Sequence, residues 1–224
     1  MSYVQLGRAR ARMRFSRVEV VQILVAVGAM TVAFFLALAN GLSGLPFLLS
    51  APDAGLLVSV LLVSSFVAVV TAFLLHELAH KAVAQRYGCF AEFRYYPMGL
   101  VLGVLTAAFG FLFAMPGAVM ISGYVGPREN VRISAAGPGT NMALAAVFLA
   151  LAVGLGTTGG PTSNLVKQLV ASIAYVNLFL GGFNLIPFPP LDGSKVFAFD
   201  KVLWVLMVAG LGGLYVAGVW LRAF

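Results

Sequence analysis

Charge is too scarce in this chain for most of its surface to face water. Of 224 residues, 9% are Asp, Glu, Lys or Arg and 61% are hydrophobic. Mean hydropathy is +1.01. A soluble globular chain carries about 25% charged residues. The composition therefore points to an all-α polytopic membrane protein. The net charge of +7 does not alter this reading. Arg8, Arg10, Arg12, Arg14 and Arg17 crowd the first seventeen residues with no acid among them. A nucleic-acid surface would spread such charge over a folded domain, so nucleic acid is not an expected partner. A basic arm before an apolar run fits the positive-inside rule and attraction to an anionic lipid surface. The expected organisation is a basic cytoplasmic arm, residues 1–18, followed by one membrane-embedded domain, residues 19–224. Cys89 is the single cysteine, so no internal disulfide is possible.

Crossing about 30 Å of hydrocarbon takes about 20 apolar residues in a helix. Residues 20–39 meet this requirement. The run is long for a signal peptide and is expected to be a retained first span with a cytoplasmic N-terminus. Residues 40–53, with Gly, Ser and two Pro but no Lys or Arg, are expected as a short outer loop. Residues 55–75 bring the chain back, with the helix running on towards Tyr87 and Gly88 as its stop. Residues 138–156, 164–186 and 202–221 are further spans. That makes five to six transmembrane helices in all. Between them, residues 95–127 hold no charge, yet Met115-Pro116-Gly117 interrupts them. If this stretch crossed once, Arg128 and Arg132 would lie outside. A re-entrant hairpin or short β element keeps both inside, and backbone of that kind must be buried or line a wet cavity. Residues 92–96 and 118–124 are its candidate strands. On this arrangement Lys167 and Arg222 break the charge rule, but both lie near span ends where they can snorkel.

Both histidines of the chain fall in His76-Glu77-Leu78-Ala79-His80. Positions i and i+4 share a helix face, so both imidazoles can reach one ion. Glu77 is then placed to accept a proton from an activated water. The bland alternative is a packed polar cluster, costly near hydrocarbon unless paired. Catalytic zinc commonly keeps three protein ligands and one open position. The third ligand must be Cys89 or a carboxylate among Glu19, Asp53, Glu92, Glu129, Asp192 and Asp200. Topology puts Asp53 outside and leaves Glu19 and Glu129 in loops or flanks beside arginines. Asp192 follows a proline-rich, helix-breaking segment, Pro187-Phe188-Pro189-Pro190, with Gly193 available for a tight turn. It can be a turn-former or a ligand, and its expected membrane face favours ligand.

His76-Glu77-Leu78-Ala79-His80, together with Asn184-Leu185-Ile186-Pro187 and Pro190-Leu191-Asp192-Gly193, resembles the paired signature of the site-2 protease family of intramembrane zinc metalloproteases. Ala136-Gly137-Pro138-Gly139-Thr140-Asn141 is similar to a third element of that family. The resemblance covers roughly residues 56–196 and shows neither an inserted PDZ-like domain nor a regulatory one, so a minimal core is expected. It implies one zinc per chain held by His76, His80 and Asp192, with Glu77 as catalytic base. It also implies regulated intramembrane proteolysis, the substrate being a transmembrane segment of another membrane protein. Asn184 matches an asparagine thought to hold substrate or the developing oxyanion. Asn177 and Asn184 share a helix face, and interhelical hydrogen bonding is the plainer role for each. For Gly137 and Pro138 the plainer roles are close packing and a first helical turn.

If the helix of the histidines ends near Tyr87 at the surface, His76 lies about 16 Å deeper at ~1.5 Å per residue. Water must then enter by a polar cleft, and a helical substrate must unwind, with an exposed strand edge to hold it. The expected location is a prokaryotic plasma membrane, active site towards the cytoplasm. A metal transporter or sensor with the same ligands is the alternative, although the first and last spans lack the polar groups a transport path needs. A prenyl-protein protease would call for a glutamate on a later helix, and the last two spans contain none. A catalytically dead scaffold would not need the intact His, Glu and Asp set.

Overall fold

The computed structural model describes residues 13–156, 161–221 and 223. Arg8, Arg10, Arg12 and Arg222 lie outside the described residues. In order the elements are α1 (Arg17–Leu38), α2 (Gly41–Ser50), α3 (Ala54–Ala68), a π-helical turn (Val69–Leu74), α4 (Leu75–Arg86), β1 (Phe90–Tyr95), α5 (Pro97–Ala108), β2 (Gly117–Ser122), α6 (Pro127–Gly154), α7 (Pro161–Asn184), α8 (Asp192–Phe199) and α9 (Lys201–Trp220). Among the described residues, five helices are long and apolar enough to cross a membrane: Arg17–Leu38, Ala54–Arg86, Pro127–Gly154, Asn164–Asn184 and Lys201–Trp220. The protein is an all-α polytopic membrane protein with one small antiparallel β element.

These helices are apolar all round, and the packing shows why. Leu24, Leu56, Val147, Phe179 and Leu206 remain exposed, forming the outward surface that lipid covers. The inward contacts are made by small residues, Ala26, Ala33, Ala68, Ala72, Ala145, Ala152 and Ala174, all fully or almost fully buried. Small side chains let helix backbones approach, which is where association in lipid gets its dispersion energy. One core joins Ala26, Val27 and Met30 of α1 to Val69 and Phe73 of the π turn, Phe93 of β1 and Leu100 of α5. A second joins Ala145 of α6, Leu178 of α7 and Met207 and Leu211 of α9.

Residues 95–127 do fold back on themselves. The two strands pair antiparallel from Phe90↔Ser122 to Tyr95↔Gly117, so the segment leaves and rejoins the bundle at one place. Its return relies on glycine, most plainly at Gly117, which has φ +144° and where a methyl would meet the Arg94 carbonyl and the Phe93 ring. The strands lie within about two residues of the expected 92–96 and 118–124.

Three expectations need correction. Residues 40–53 are not simply a loop: Gly41–Ser50 is a helix carrying Pro46. An apolar segment satisfies its backbone internally when water is scarce. Pro138 does not open a helix, because α6 begins at Pro127, where the Glu129 carboxylate accepts from the backbone N–H of Gly126 at 3.0 Å. Pro138 and the whole Ala136–Asn141 motif therefore lie mid-helix. Glu19 and Glu129 are not loop residues either. Glu19 is in the first turn of α1 and fully buried, and Glu129 caps α6.

Phe93 is buried at 1% exposure, edge-on to Phe73. Phe93→Ala is expected to lower unfolding stability in detergent by about 3–5 kcal/mol. Phe90→Ala, at an exposed position of the same strand, should change it by about 0.5 kcal/mol or less.

A candidate metal centre between three helices

His76 and His80 lie on one face of α4, ring centroids 4.7 Å apart and edge to face. Both are buried. Asp192, the first residue of α8, brings its Oδ2 to 3.3 Å from Nε2 of His76 and 3.0 Å from Nε2 of His80. The two Nε2 atoms are themselves 3.0 Å apart. Among the described residues, this is the one group of three His, Cys, Asp or Glu whose ligand atoms lie within 4.8 Å of one another.

The other ring nitrogens fix the tautomers. Nδ1 of His80 lies 2.7 Å from the Ile133 carbonyl, which can only accept, so Nδ1 carries the proton. Nδ1 of His76 lies 2.5 Å from Oδ1 of Asn141. The amide of Asn141 is oriented by its own donations to the Ala72 carbonyl and to Oδ1 of Asn177. His76 therefore also donates from Nδ1, and both Nε2 lone pairs point at the Asp192 carboxylate. Three acceptors facing one point repel one another unless a cation lies among them. Rings held through the second nitrogen in this way are the usual outer support of a metal site. Room is reserved as well: a methyl at Gly137 of α6 would collide with Nε2 of both histidines. The donor set and the space both fit a tetrahedral site with one open position.

The other acids are occupied elsewhere. Glu19 is bound to Lys81, Glu92 pairs with Arg94, Glu129 caps α6 and Asp200 caps α9. Asp53 is exposed ahead of α3. Burial pushes the Cys89 thiol up, away from thiolate, and it lies outside the cluster.

Glu77 is turned towards the sheet, its Oε2 accepting from the backbone N–H of Val119 on β2 at 2.9 Å. Asn184 ends α7 and donates from its side chain to the Leu180 carbonyl one turn back, and no contact joins it to the three ligand atoms. Asn177 is fully buried and donates to Thr71 Oγ1 and to the Ile173 carbonyl. It is thus an interhelical link, one step behind Asn141. The chain Thr71–Asn177–Asn141–His76 runs from the π turn to the metal cluster. Asn141 was visible in the sequence only as part of a motif. Its position as a lone amide in an apolar run was the signal, since such groups seek partners. Gly193 makes no tight turn. It lies inside α8, where a methyl would strike the backbone of Leu185, so its smallness lets α8 seat Asp192 against the end of α7.

Gly137→Ala should fold yet lose its bound metal, by elemental analysis of purified protein. Asn141→Ala should weaken metal affinity about 10–100-fold, measured by competition with a chelator. Wild-type affinity in either variant would contradict this geometry.

A protein of Methanocaldococcus jannaschii with the name "Putative zinc metalloprotease MJ0611" is 37% identical over 196 residues, covering 87% of this chain and 91% of that protein. "Putative zinc metalloprotease Rip3" of Mycobacterium tuberculosis is 38% identical over 130 residues, 58% of this chain and 29% of its own length. "Putative zinc metalloprotease YwhC" of Bacillus subtilis is 32% identical over 146 residues, covering 65% of that protein. No protein-family model matches the chain, and no solved structure does. Because the similarity to the first of these relatives runs almost end to end, the chain belongs to this zinc metalloprotease family.

Proposed function

We propose that this chain is an intramembrane zinc endopeptidase of the site-2 protease type, which cleaves transmembrane segments of other membrane proteins. The observation that carries this reading is the convergence of His76 Nε2, His80 Nε2 and Asp192 Oδ2 beside Glu77, inside a bundle of membrane-spanning helices. His76, His80 and Asp192 hold the metal, and Asn141 and the Ile133 carbonyl hold the two rings in their ligating tautomer. Zinc, when bound there, supplies a Lewis acid that polarises a carbonyl and makes water a nucleophile at neutral pH.

The other steps belong to the chain. Glu77 accepts a proton from the attacking water as its oxygen bonds to the scissile carbonyl carbon. It then delivers that proton to the amide nitrogen as the C–N bond breaks. Glu77 also touches β2, which ties the base to a strand edge. In an antiparallel pair, alternate residues direct their backbone groups away from the partner strand. Phe93 and its partner Val119 both donate outside the ladder, so Gly117, Val119 and Ile121 line the outer edge of β2, where Glu77 holds the Val119 N–H. A substrate segment, unwound so that its carbonyls are accessible, adds to that edge as a third strand. Asn184, at the end of α7 near the start of the segment leading to Asp192, is the candidate to hold substrate there. Arg-rich N-terminus and active site both lie on the cytoplasmic side in this reading.

The test is cleavage of a reconstituted transmembrane peptide. Wild type should cleave it, and Glu77→Gln should be slower by about 10²–10⁴-fold with its zinc retained. Cleavage by Glu77→Gln at the wild-type rate would sink the proposal. Ile121→Pro removes an amide from the free edge without touching the ladder. It should lower kcat/KM about 2- to 10-fold, and an unchanged value would count against strand addition.

A further inference from the structure

A two-stranded sheet has two free edges, and only that of β2 adjoins Glu77. The outer edge of β1 is closed by side chains from two helices. On α1, Glu19 Oε1 accepts from the N–H of Phe93 at 2.9 Å, and Gln22 Oε1 accepts from the N–H of Tyr95 at 3.3 Å. On α4, Lys81 Nζ and Gln85 Nε2 donate to the Ala91 carbonyl at 2.8 and 3.2 Å. Glu19 and Gln22 are three apart and Lys81 and Gln85 four apart, so each pair presents one helix face to the strand. Ala91, Phe93 and Tyr95 are the alternate positions whose backbone groups point out of the ladder. At each of the three positions a side chain takes an outward group: the carbonyl of Ala91 and the N–H groups of Phe93 and Tyr95.

The pair at the centre of this arrangement is fully buried. Lys81 Nζ lies 2.6 and 2.7 Å from the two oxygens of Glu19, and neither side chain is exposed at all. The ammonium also faces the Phe15 ring at 4.6 Å. Apolar residues of like volume would pack such a site with no desolvation cost and are often no less stable. They could not, however, satisfy outward-pointing N–H and C=O groups of a strand. An open edge is a template for any extended chain, and a peptide paired to β1 would lie across the sheet from the base.

We propose that Glu19 and Lys81, with Gln22 and Gln85, form an edge plug that denies β1 to extended peptide and leaves β2 as the docking strand. These are positioning residues, and the inference rests on the proteolytic reading above. Lys81 directly follows His80, so the plug also ties β1 to the metal-bearing helix.

Two measurements on the full chain in detergent separate the plug from that reading. The first is amide hydrogen exchange at Phe93 and Tyr95, which needs no substrate. Both should be protected in wild type. Both should exchange about 3-fold faster or more in the double variant Glu19→Leu, Lys81→Met, with zinc content and Tm kept. Gln22→Leu is the milder variant and should release Tyr95 alone. Unchanged exchange in both variants would overturn the plug. The second is photocrosslinking of a transmembrane peptide from benzoylphenylalanine placed at Phe90 or at Met120, exposed positions on β1 and β2. Crosslinks should form from Met120 in wild type, and from both positions in the double variant. Equal crosslinking from Phe90 in wild type, or no gain at Phe90 in the variant, would refute confinement to β2. A wild-type protein that crosslinks at neither position fails the protease reading, and exchange then decides the plug by itself.

Discussion

Two imidazole lone pairs and a carboxylate meet inside a bundle of apolar helices, and a cation is what makes that meeting favourable. Much of the nearby structure can be followed outward from it. The His76 ring is aimed by Asn141, Asn141 is held by Asn177 and the Ala72 carbonyl, and Asn177 is anchored on Thr71. Thr71 and Ala72 belong to the π turn just before the histidines. A π turn changes which backbone carbonyls find a helical donor, and Ala72 offers its own to Asn141. The irregular turn is thus part of the support that orients the ring. Among the described residues no buried side-chain nitrogen or oxygen lacks a partner, as low-dielectric surroundings require.

Glycine performs the complementary task of leaving space. Gly137 clears the volume in front of both Nε2 atoms, and Gly193 lets α8 close on Leu185 so that Asp192 reaches the histidines. Both lie inside helices, where glycine costs stability relative to alanine. That cost is offset by metal binding and close packing. The hairpin between α4 and α6 then adds the one extended backbone near the centre, with one edge occupied by polar side chains and the other touching Glu77. A sheet with two open edges would be an unselective template. The distribution of Glu19, Gln22, Lys81 and Gln85 makes this one asymmetric.

Much of this was legible in the sequence, for physical reasons. Lipid demands long apolar runs, so the spans could be read from composition, with ends differing by a few residues except at the start of α6, which is Pro127 and not Pro138. The i, i+4 histidines and the proline-bounded Asp192 carry their chemistry in their spacing. What stayed hidden depends on contacts between distant elements. Glu19 reads as a flank beside Arg17, and only the packing of α1 against β1 and α4 reveals it as a buried partner of Lys81. The start of α6 was missed because Pro138 draws attention away from the stronger signal, Gly126-Pro127 with Glu129. The common clue to Glu19, Thr71, Asn141 and Asn177 was a polar group in or beside an apolar run. Such a group must have a partner, but the sequence does not say which.

The most direct test of the metal centre is zinc K-edge X-ray absorption on the purified, zinc-loaded chain. Two imidazole nitrogens and carboxylate or water oxygens at about 2.0–2.2 Å are the expected shell. A sulfur shell at about 2.3 Å, which would have to come from the single cysteine Cys89 or a methionine, would contradict the His76, His80 and Asp192 site, as would a single imidazole.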